Sequence, residues 1–198
     1  GYPSKRYYGG CEYVDQAEKI DDNKIIEKCL NNLGFYYNNS SQYEEAEPYL
    51  LRLIEVAEEQ NDYYLLGMGY GNLSVTVLYG SNNNIQEIER AEEYNAKAFS
   101  LYKNSDSKRR VAPNREFRGY IYRYKGDYDK ALEYGSRALV IQEEVNNMDG
   151  VGICLGGIGF GYLCKGEYNK ALEYSKRSVE IKKRVGDEII LAYEISQM

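Results

Sequence analysis

Residues 126–134, GDYDKALEY, and residues 166–174, GEYNKALEY, are nearly the same nine-residue stretch, placed 40 positions apart. In both, a glycine favours the end of one helix and the acidic residue after it favours the start of the next. An A-x-x-Y pattern follows, and it occurs four times in the chain, with its alanine at Ala46, Ala91, Ala131 and Ala171. The spacings of these alanines are 45, 40 and 40 residues, which predicts an internal repeat of about 40 residues.

Each copy of the repeat also has a small residue ahead of its alanine and a bulky residue three positions after the small one. The small residues are Gly34, Ser74, Gly119 and Gly159, and the bulky ones are Tyr37, Val77, Tyr122 and Tyr162. Small residues and alanines let two helices approach closely, so each copy is predicted to be a helix–turn–helix hairpin that buries its apolar face only against its neighbours. The second copy has five extra residues, which we place in the polar stretch 80–84.

The repeat register predicts one all-α array of antiparallel helix hairpins over residues 1–198. Its parts are the second helix of a partial repeat at 5–20, repeats at about 22–61, 62–106, 107–146 and 147–186, and the first helix of a partial repeat at 187–198. Gly186-Asp187 is predicted to break the chain between repeats. Because the ends fall inside repeats, we expect a segment of a longer array.

Two prolines disturb the pattern. Pro48 lies inside the second helix of the first full repeat, where we expect it to bend or shift that helix. Pro113 lies where the first helix of the third repeat should start, so we expect that helix to begin late, near Ala112.

The stretch 126–134, with Gly119 and Tyr122 before it and Ala138 after it, resembles the tetratricopeptide repeat, and residues 166–174 repeat the match. The period exceeds the usual 34 residues. It is similar to the long-repeat class found in kinesin light chains and bacterial Rap-type regulators. The resemblance implies a right-handed α-solenoid, a superhelix whose first helices line a concave groove that binds peptides or protein segments. It implies no catalysis.

The composition also argues against catalysis and metal binding. The chain has no histidine, which excludes Ser-His-Asp and Cys-His relays and imidazole metal ligands. Paired carboxylates are adjacent in sequence and therefore point to different helix faces. We predict a protein that is not an enzyme, binds no metal and uses no cofactor.

The cysteines and the hydropathy bear on the compartment. The four cysteines show no C-x-x-C spacing, and we expect all of them to be buried thiols in a reducing, cytoplasmic compartment. No stretch approaches the ~20 apolar residues that a membrane helix needs, so no membrane is expected as a partner.

If the first helices line a groove, residues beside the small position should face into it. The candidate peptide-binding residues are Asn32, Phe35, Asn72, Val75, Tyr120, Arg123 and Phe160. An asparagine amide can pair with an extended peptide backbone, and the resemblance implies this use for Asn32 and Asn72. The alternative is that both amides bond to a neighbouring helix or to water.

Two further features bear on the groove. Arg123 belongs to a basic run between residues 108 and 125 whose one acid is Glu116, which favours an acidic partner segment. Alternatively, Glu89, Glu92 and Glu93 of the preceding helix neutralise Arg115 and Arg118. Six glycines between residues 150 and 161 indicate either close helix packing or an open groove floor.

These observations predict a protein–protein interaction module that belongs to a larger signalling or scaffold protein. Its partner is a protein or peptide, and self-association is an open alternative, in which the array is a structural, self-assembling segment with no separate ligand. Nucleic acid is not expected, because the net charge is −6 and no binding module is recognisable.

Overall fold

The computed structural model describes residues 22–102 and 108–196, together with Val14, Gln16 and Lys19. Within these residues the protein consists of eight α-helices and connecting turns, with no strand. The helices are α1 (Asn23–Asn39), α2 (Tyr43–Glu59), α3 (Tyr63–Gly80), α4 (Ile85–Tyr102), α5 (Lys108–Tyr124), α6 (Tyr128–Glu144), α7 (Met148–Cys164) and α8 (Tyr168–Ser196). The helix predicted at 5–20 lies outside the described residues, apart from the three isolated positions, which are helical.

The chain forms two compact units, Gly1–Asn104 and Ser105–Met198. In the first unit, α1 to α4 pack in sequence, each against the next, and in the second unit α5 to α8 do the same. Turns of three or four residues join the helices within each unit, so consecutive helices run antiparallel. First helices also touch within a unit: α1 contacts α3, and α5 contacts α7.

The turns follow from left-handed backbone positions and aspartate caps. Gly126 and Gly166 both have φ of +76°, which is where the predicted glycine helix stop requires it. The corresponding position after α1 is Ser41, with φ of 57°. Asp127 follows Gly126 and accepts a hydrogen bond from the backbone N–H of Lys130, 3.1 Å away, which caps the start of α6.

The small residue of each hairpin meets the helix that carries the alanine, as predicted. Ser74 donates its hydroxyl to the carbonyl oxygen of Ala91 at 2.6 Å. A Cβ atom added to Gly119 would lie 3.2 Å from the carbonyl oxygen of Ala131, and one added to Gly159 would lie 2.9 Å from Oγ of Ser175. These positions therefore accept only small residues, because the facing helix leaves no room.

The bulky residue of the repeat stacks on the tyrosine of the A-x-x-Y pattern. The stacked ring pairs are Tyr37 with Tyr49, Tyr122 with Tyr134, and Tyr162 with Tyr174, and their centroids lie 5.5, 5.4 and 5.5 Å apart. The second hairpin has Val77 in place of the first tyrosine, and its Tyr94 stacks on Tyr70 instead, at 6.1 Å. The same pair of stacked tyrosine rings therefore packs between the two helices in three of the four hairpins.

The five extra residues of the second repeat lie only partly in the predicted stretch 80–84. Ala91 is the seventh residue of α4, whereas the corresponding alanines are the fourth residues of α2, α6 and α8. Three of the extra residues therefore lengthen the start of α4 by almost one turn. The turn itself is closed by left-handed Asn82 and Asn83 and by the side chain of Asn84, which accepts from the backbone N–H of Gln86.

The structure contradicts two expectations, the start of α5 and a helix break at Gly186-Asp187. Helix α5 begins at Lys108, not near Ala112, and Pro113 lies inside it. A proline removes only the bond to the carbonyl four residues earlier, and the rest of the first turns remain helical. The predicted break at Gly186-Asp187 is absent, because α8 continues from Tyr168 to Ser196. A glycine ends a helix when its backbone is left-handed, and Gly186 is not among the glycines with positive φ.

Pro48 likewise lies within a continuous helix, α2. It is the sixth residue of that helix, so the bond it removes is one near the first turn. The neighbouring Ala46 and Leu50 are fully buried. The packing of this face therefore maintains the helix across the proline.

Candidate functional site

In the first unit, the predicted groove residues lie on α1 and α3. Asn32 and Phe35 are exposed on α1, and Phe35 has 62% of its surface accessible. Asn72 and Val75 are half-buried on α3. The side-chain amide of Asn72 donates a hydrogen bond to Oδ1 of Asn31, 3.1 Å away. Asn72 therefore makes a hydrogen bond to a neighbouring helix, which was the alternative to its contact with a peptide.

In the second unit, the structure brings Tyr120, Arg123 and Phe160 together. The guanidinium carbon of Arg123 lies 4.7 Å from the ring centroid of Tyr120 and 4.6 Å from that of Phe160. Both distances are within the range of cation–π attraction. Arg123 thus links α5 to Phe160 on α7, and 46% of the surface of Phe160 is accessible.

A small cavity of about 20 Å³ lies beside this cluster, between α5 and α7, with α6 beneath it. The residues of α5 and α7 that line it are Glu116, Gly119, Tyr120 and Arg123, and Ile153, Cys154 and Gly157. It has room for a group about the size of one water molecule, such as the end of a side chain, and it is too small for a cofactor. The cavity therefore extends the surface that Arg123 and Phe160 form.

Glu116 is the acidic group of this cavity, and it is not among the site residues predicted from the sequence. Its carboxylate accepts a hydrogen bond from the Cys154 thiol, at 3.7 Å, and a second from the side-chain amide of Gln142. Burial raises the pKa of Glu116 to about 6, although these two bonds act in the opposite direction. Both donors are neutral, so the negative charge keeps no cationic partner among the described residues.

The neutral donors are themselves held in place. The Gln142 carbonyl accepts from the side-chain amide of Asn147 at 2.9 Å, which turns its NH₂ group toward Glu116. A Cβ atom added to Gly150 would lie 2.4 Å from Cδ of Gln142, so this glycine makes room for the amide. Burial, followed by the charge of Glu116, raises the pKa of the Cys154 thiol. The thiol is therefore a hydrogen-bond donor here and not a nucleophile.

No group of three or more histidine, cysteine, aspartate or glutamate residues within the described ranges could hold a metal ion. The described cysteines, Cys29, Cys154 and Cys164, are free thiols, and only Cys154 of these three is buried. The expectation that all the cysteines are buried is therefore wrong for Cys29 and Cys164, which are half-buried. None of the helices that the structure describes has both the length and the apolar character needed to cross a bilayer.

Sequence profiles of one family match two parts of the chain. Both describe the tetratricopeptide repeat, and they match residues 109–184 and 28–59. Together the two matched segments cover more than half of the chain. They include both ring-stacked hairpins of the second unit and one of the first.

Solved structures resemble the chain at low sequence identity. A Rap protein in complex with competence and sporulation factor has a TM-score of 0.72 at 18% identity, over 93% of this chain and 55% of that one. BtubC (BKLC) from P. vanneervenii has a TM-score of 0.71 at 19% identity, over 89% and 72%. A STAND signal-transduction ATPase with a tetratricopeptide repeat sensor from Pyrococcus horikoshii has a TM-score of 0.70 at 22% identity, over 88% and 26%. The likeness concerns the fold alone, and it confirms the predicted all-α solenoid class.

The chain also matches short parts of curated proteins named serine hydroxymethyltransferase. The protein of Idiomarina loihiensis is 28% identical over 105 residues, which is 46% of this chain and 24% of that protein. The protein of Teredinibacter turnerae is 80% identical over 39 residues, or 20% and 8%. The chain therefore spans less than a quarter of the length of either relative.

Proposed function

The chain belongs to the tetratricopeptide repeat family, and from this premise we propose that it is a protein-interaction module whose α5–α7 face binds a segment of a partner protein. One observation carries the proposal: Arg123 is held between the rings of Tyr120 and Phe160 beside an open cavity. Phe160 and Ile153 are both more than 40% accessible on the same face of α7. Exposed aromatic groups around an arginine are typical of binding surfaces.

Arg123 would bind an acidic group of the partner. Among the described residues, the rings of Tyr120, Tyr124 and Phe160 lie 4.7, 5.9 and 4.6 Å from its guanidinium carbon, and none of these rings carries a negative charge at neutral pH. The edge of a guanidinium carries the N–H groups that bind a carboxylate with two parallel hydrogen bonds. An acidic residue in a peptide laid across α5 and α7 would therefore pair with Arg123 without displacing the rings.

The first unit would present a second surface of its own for a partner segment. Asn32 and Phe35 are exposed on one face of α1, and Val75 and Asn72 lie on α3 next to it. A free asparagine amide can donate to and accept from a peptide backbone. Asn32 would have this role. Asn72 would contribute its side-chain carbonyl oxygen, which takes no part in the bond to Asn31.

Selection from a random linear peptide library displayed on phage tests the proposal. We expect the full chain to enrich peptides that contain acidic residues, and we expect Arg123→Gln and Phe160→Ala to lose them. Arg137→Gln is the matched control, because Arg137 lies exposed on α6 in an ion pair with Glu133. Equal enrichment on the wild type, on Arg123→Gln and on the control would contradict the assigned surface.

The alternative is that the array assembles only with itself. Light scattering over a range of protein concentrations separates the two functions, because self-assembly raises the mass of the pure protein. A rise in mass that Phe160→Ala abolishes would assign this face to a second copy of the chain. A constant mass together with peptide enrichment supports the interaction module.

The similarity in fold to a STAND signal-transduction ATPase with a tetratricopeptide repeat sensor and to a Rap protein supports a place in a larger signalling or scaffold protein. In that role we expect neither catalysis nor a cofactor, and we expect a cytoplasmic location. An assay of the purified chain for serine hydroxymethyltransferase activity tests the first expectation, and turnover above that of a heat-denatured sample would overturn it. Fractionation of the source cells tests the second.

A further inference from the structure

We propose that the cavity between α5 and α7 is a subsite for a basic side chain, lysine or arginine, of the bound partner segment, with Glu116 as its counter-charge. The inference rests on the proposed function, because it names a second group that the same surface recognises. Arg123 would bind an acidic group, and Glu116, two helical turns earlier on α5, would bind a basic one about 10 Å away.

The first unit contains residues at the positions that correspond to Glu116 and Gly157 of the second unit. Asn31 stands three residues before Gly34, and Glu116 stands three residues before Gly119. Their neighbours on the next first helix also correspond, since Asn72 lies two residues before Ser74 and Gly157 two residues before Gly159. These pairs hold the same positions in their repeats.

The two pairs differ in what lies between them. In the first unit, the Asn72 amide occupies the space and donates to Asn31 at 3.1 Å. In the second unit, Gly157 has no side chain, and the cavity lined by Glu116 lies there instead. The second unit therefore combines a stronger acceptor, a carboxylate in place of an amide, with the loss of the donor that Asn72 supplies in the first unit, and the donors that remain to Glu116 are the neutral Cys154 thiol and Gln142 amide.

Packing does not account for Gly157. A Cβ atom added to it would meet Oη of Tyr120 at 3.7 Å, an ordinary contact distance. By contrast, a Cβ atom on Gly150 would lie 2.4 Å from Gln142, and one on Gly161 would lie 2.9 Å from Leu132. A glycine inside a helix makes the helix less stable than an alanine would. Because packing does not require Gly157, its presence indicates that the space beside it is kept open for a ligand.

The charge of the cavity selects a cation. Glu116 is half-buried, and its carboxylate accepts only from the Cys154 thiol and the Gln142 amide among the described residues. A buried negative charge is stabilised most by a positive partner with which it can form hydrogen bonds. The aliphatic stem of a lysine or arginine would lie against Ile153 and the bare backbone at Gly157, as such stems do on apolar surface.

The peptide selection described above distinguishes this inference from the proposed function. We expect wild-type selections to contain a basic residue as well as an acidic one. Glu116→Gln should lose the basic residue and keep the acidic one, and Arg123→Gln should do the reverse. Glu133→Gln is the control, because it removes the same charge from an exposed position on α6.

A binding cycle with the strongest selected peptide gives the quantitative test. Replacing its basic residue with norleucine should weaken binding to the wild type about tenfold or more, and binding to Glu116→Gln less than about twofold. Gly157→Ala, which fills the cavity without a clash, should weaken binding of the basic peptide and leave that of the norleucine peptide nearly unchanged. Circular dichroism checks that both variants remain folded.

Two outcomes would overturn the inference. One is a basic residue that is enriched equally on Glu116→Gln. The other is a set of acidic peptides with no basic residue, in which case the interaction surface stands and the subsite does not. If no peptide is enriched on the wild type, the proposed function fails, and the subsite fails with it.

Discussion

Asn72 on α3 donates its side-chain amide to Asn31 on α1, and this bond joins two first helices inside the first unit. Asn72→Ala should therefore lower the free energy of unfolding by about 1 kcal/mol, since it leaves a half-buried acceptor without its partner. Asn32→Ala removes an exposed amide on the same helix as Asn31 and should change stability by less than about 0.5 kcal/mol. Urea denaturation of both variants measures the difference.

The opposite ranking would mean that Asn72 contributes little to the fold and that its amide is available to a partner. Peptide binding provides the second measurement, because Asn32→Ala is expected to weaken binding while leaving helix content unchanged. A variant that loses binding without losing stability identifies a groove residue, and one that loses both identifies a packing residue.

The hairpin architecture could be predicted because the residues that specify it are local and recur. Gly119 and Ala131 face each other within one hairpin, and Tyr122 and Tyr134 stack within the same hairpin. These pairs lie a fixed number of residues apart, so their spacing is visible in the sequence as a period. Where one repeat ends and the next begins stays a prediction.

The helix ends were predicted less well, because the residue at which a helix begins or ends depends on the sum of several small free-energy contributions. Pro113 and Gly186 each weaken a helix locally, yet α5 and α8 continue through them. The five extra residues of the second repeat were located from the spacing. The spacing could not say that three of them lengthen α4, since that depends on how the turn at Asn82 and Asn83 closes.

The turn after α1 offers a test of backbone strain. Ser41 has φ of 57°, a conformation that costs a residue with a side chain about 1 kcal/mol and costs glycine much less. Ser41→Gly should therefore raise the free energy of unfolding by about 1 kcal/mol. Thermal and urea denaturation both measure it.

Gly126 is the matched reverse case. It has φ of +76°, and an added Cβ atom would meet nothing within 4 Å, so only the backbone conformation is at stake. Gly126→Ser should lower the free energy of unfolding by about 1 kcal/mol. If both substitutions shift stability in the same direction, the strain argument is wrong.

The candidate site was predicted in part. Tyr120 and Phe160 were predicted because each follows the small residue of its repeat, and Arg123 because it belongs to the basic run, and the three side chains do lie together. Glu116 was missed because its sequence context is a basic run, which suggests an exposed and neutralised acid. Only the structure shows that Glu116 is half-buried and that its carboxylate accepts from Cys154 and Gln142, which belong to two other helices.

Glu116 also predicts a pH dependence. Its pKa is about 6 in the folded protein, above the ordinary 4.5, so the folded state binds more protons than the unfolded state between these values. Stability should therefore fall as pH rises from about 4.5 to 6, by about 2 kcal/mol from this group, and stay lower above pH 6. Glu116→Gln should lose this dependence. Urea denaturation of both proteins between pH 4 and 8, compared with Glu133→Gln, measures it, and parallel curves for all three would contradict the buried ionisation.

Cys154 provides a test of the packing beneath the cavity. Its side chain is buried, its thiol donates to Glu116, and burial together with the Glu116 charge raises its pKa, so the reactive thiolate is scarce at neutral pH. In a Cys11→Ser variant at pH 8, iodoacetamide should modify the half-buried Cys164 first and reach Cys154 only at the rate of unfolding. Mass spectrometry of tryptic peptides follows both sites, and adding urea to the midpoint of unfolding should accelerate Cys154 far more than Cys164. Equal rates at the two cysteines in the absence of urea would show that the α5–α7 region opens without global unfolding.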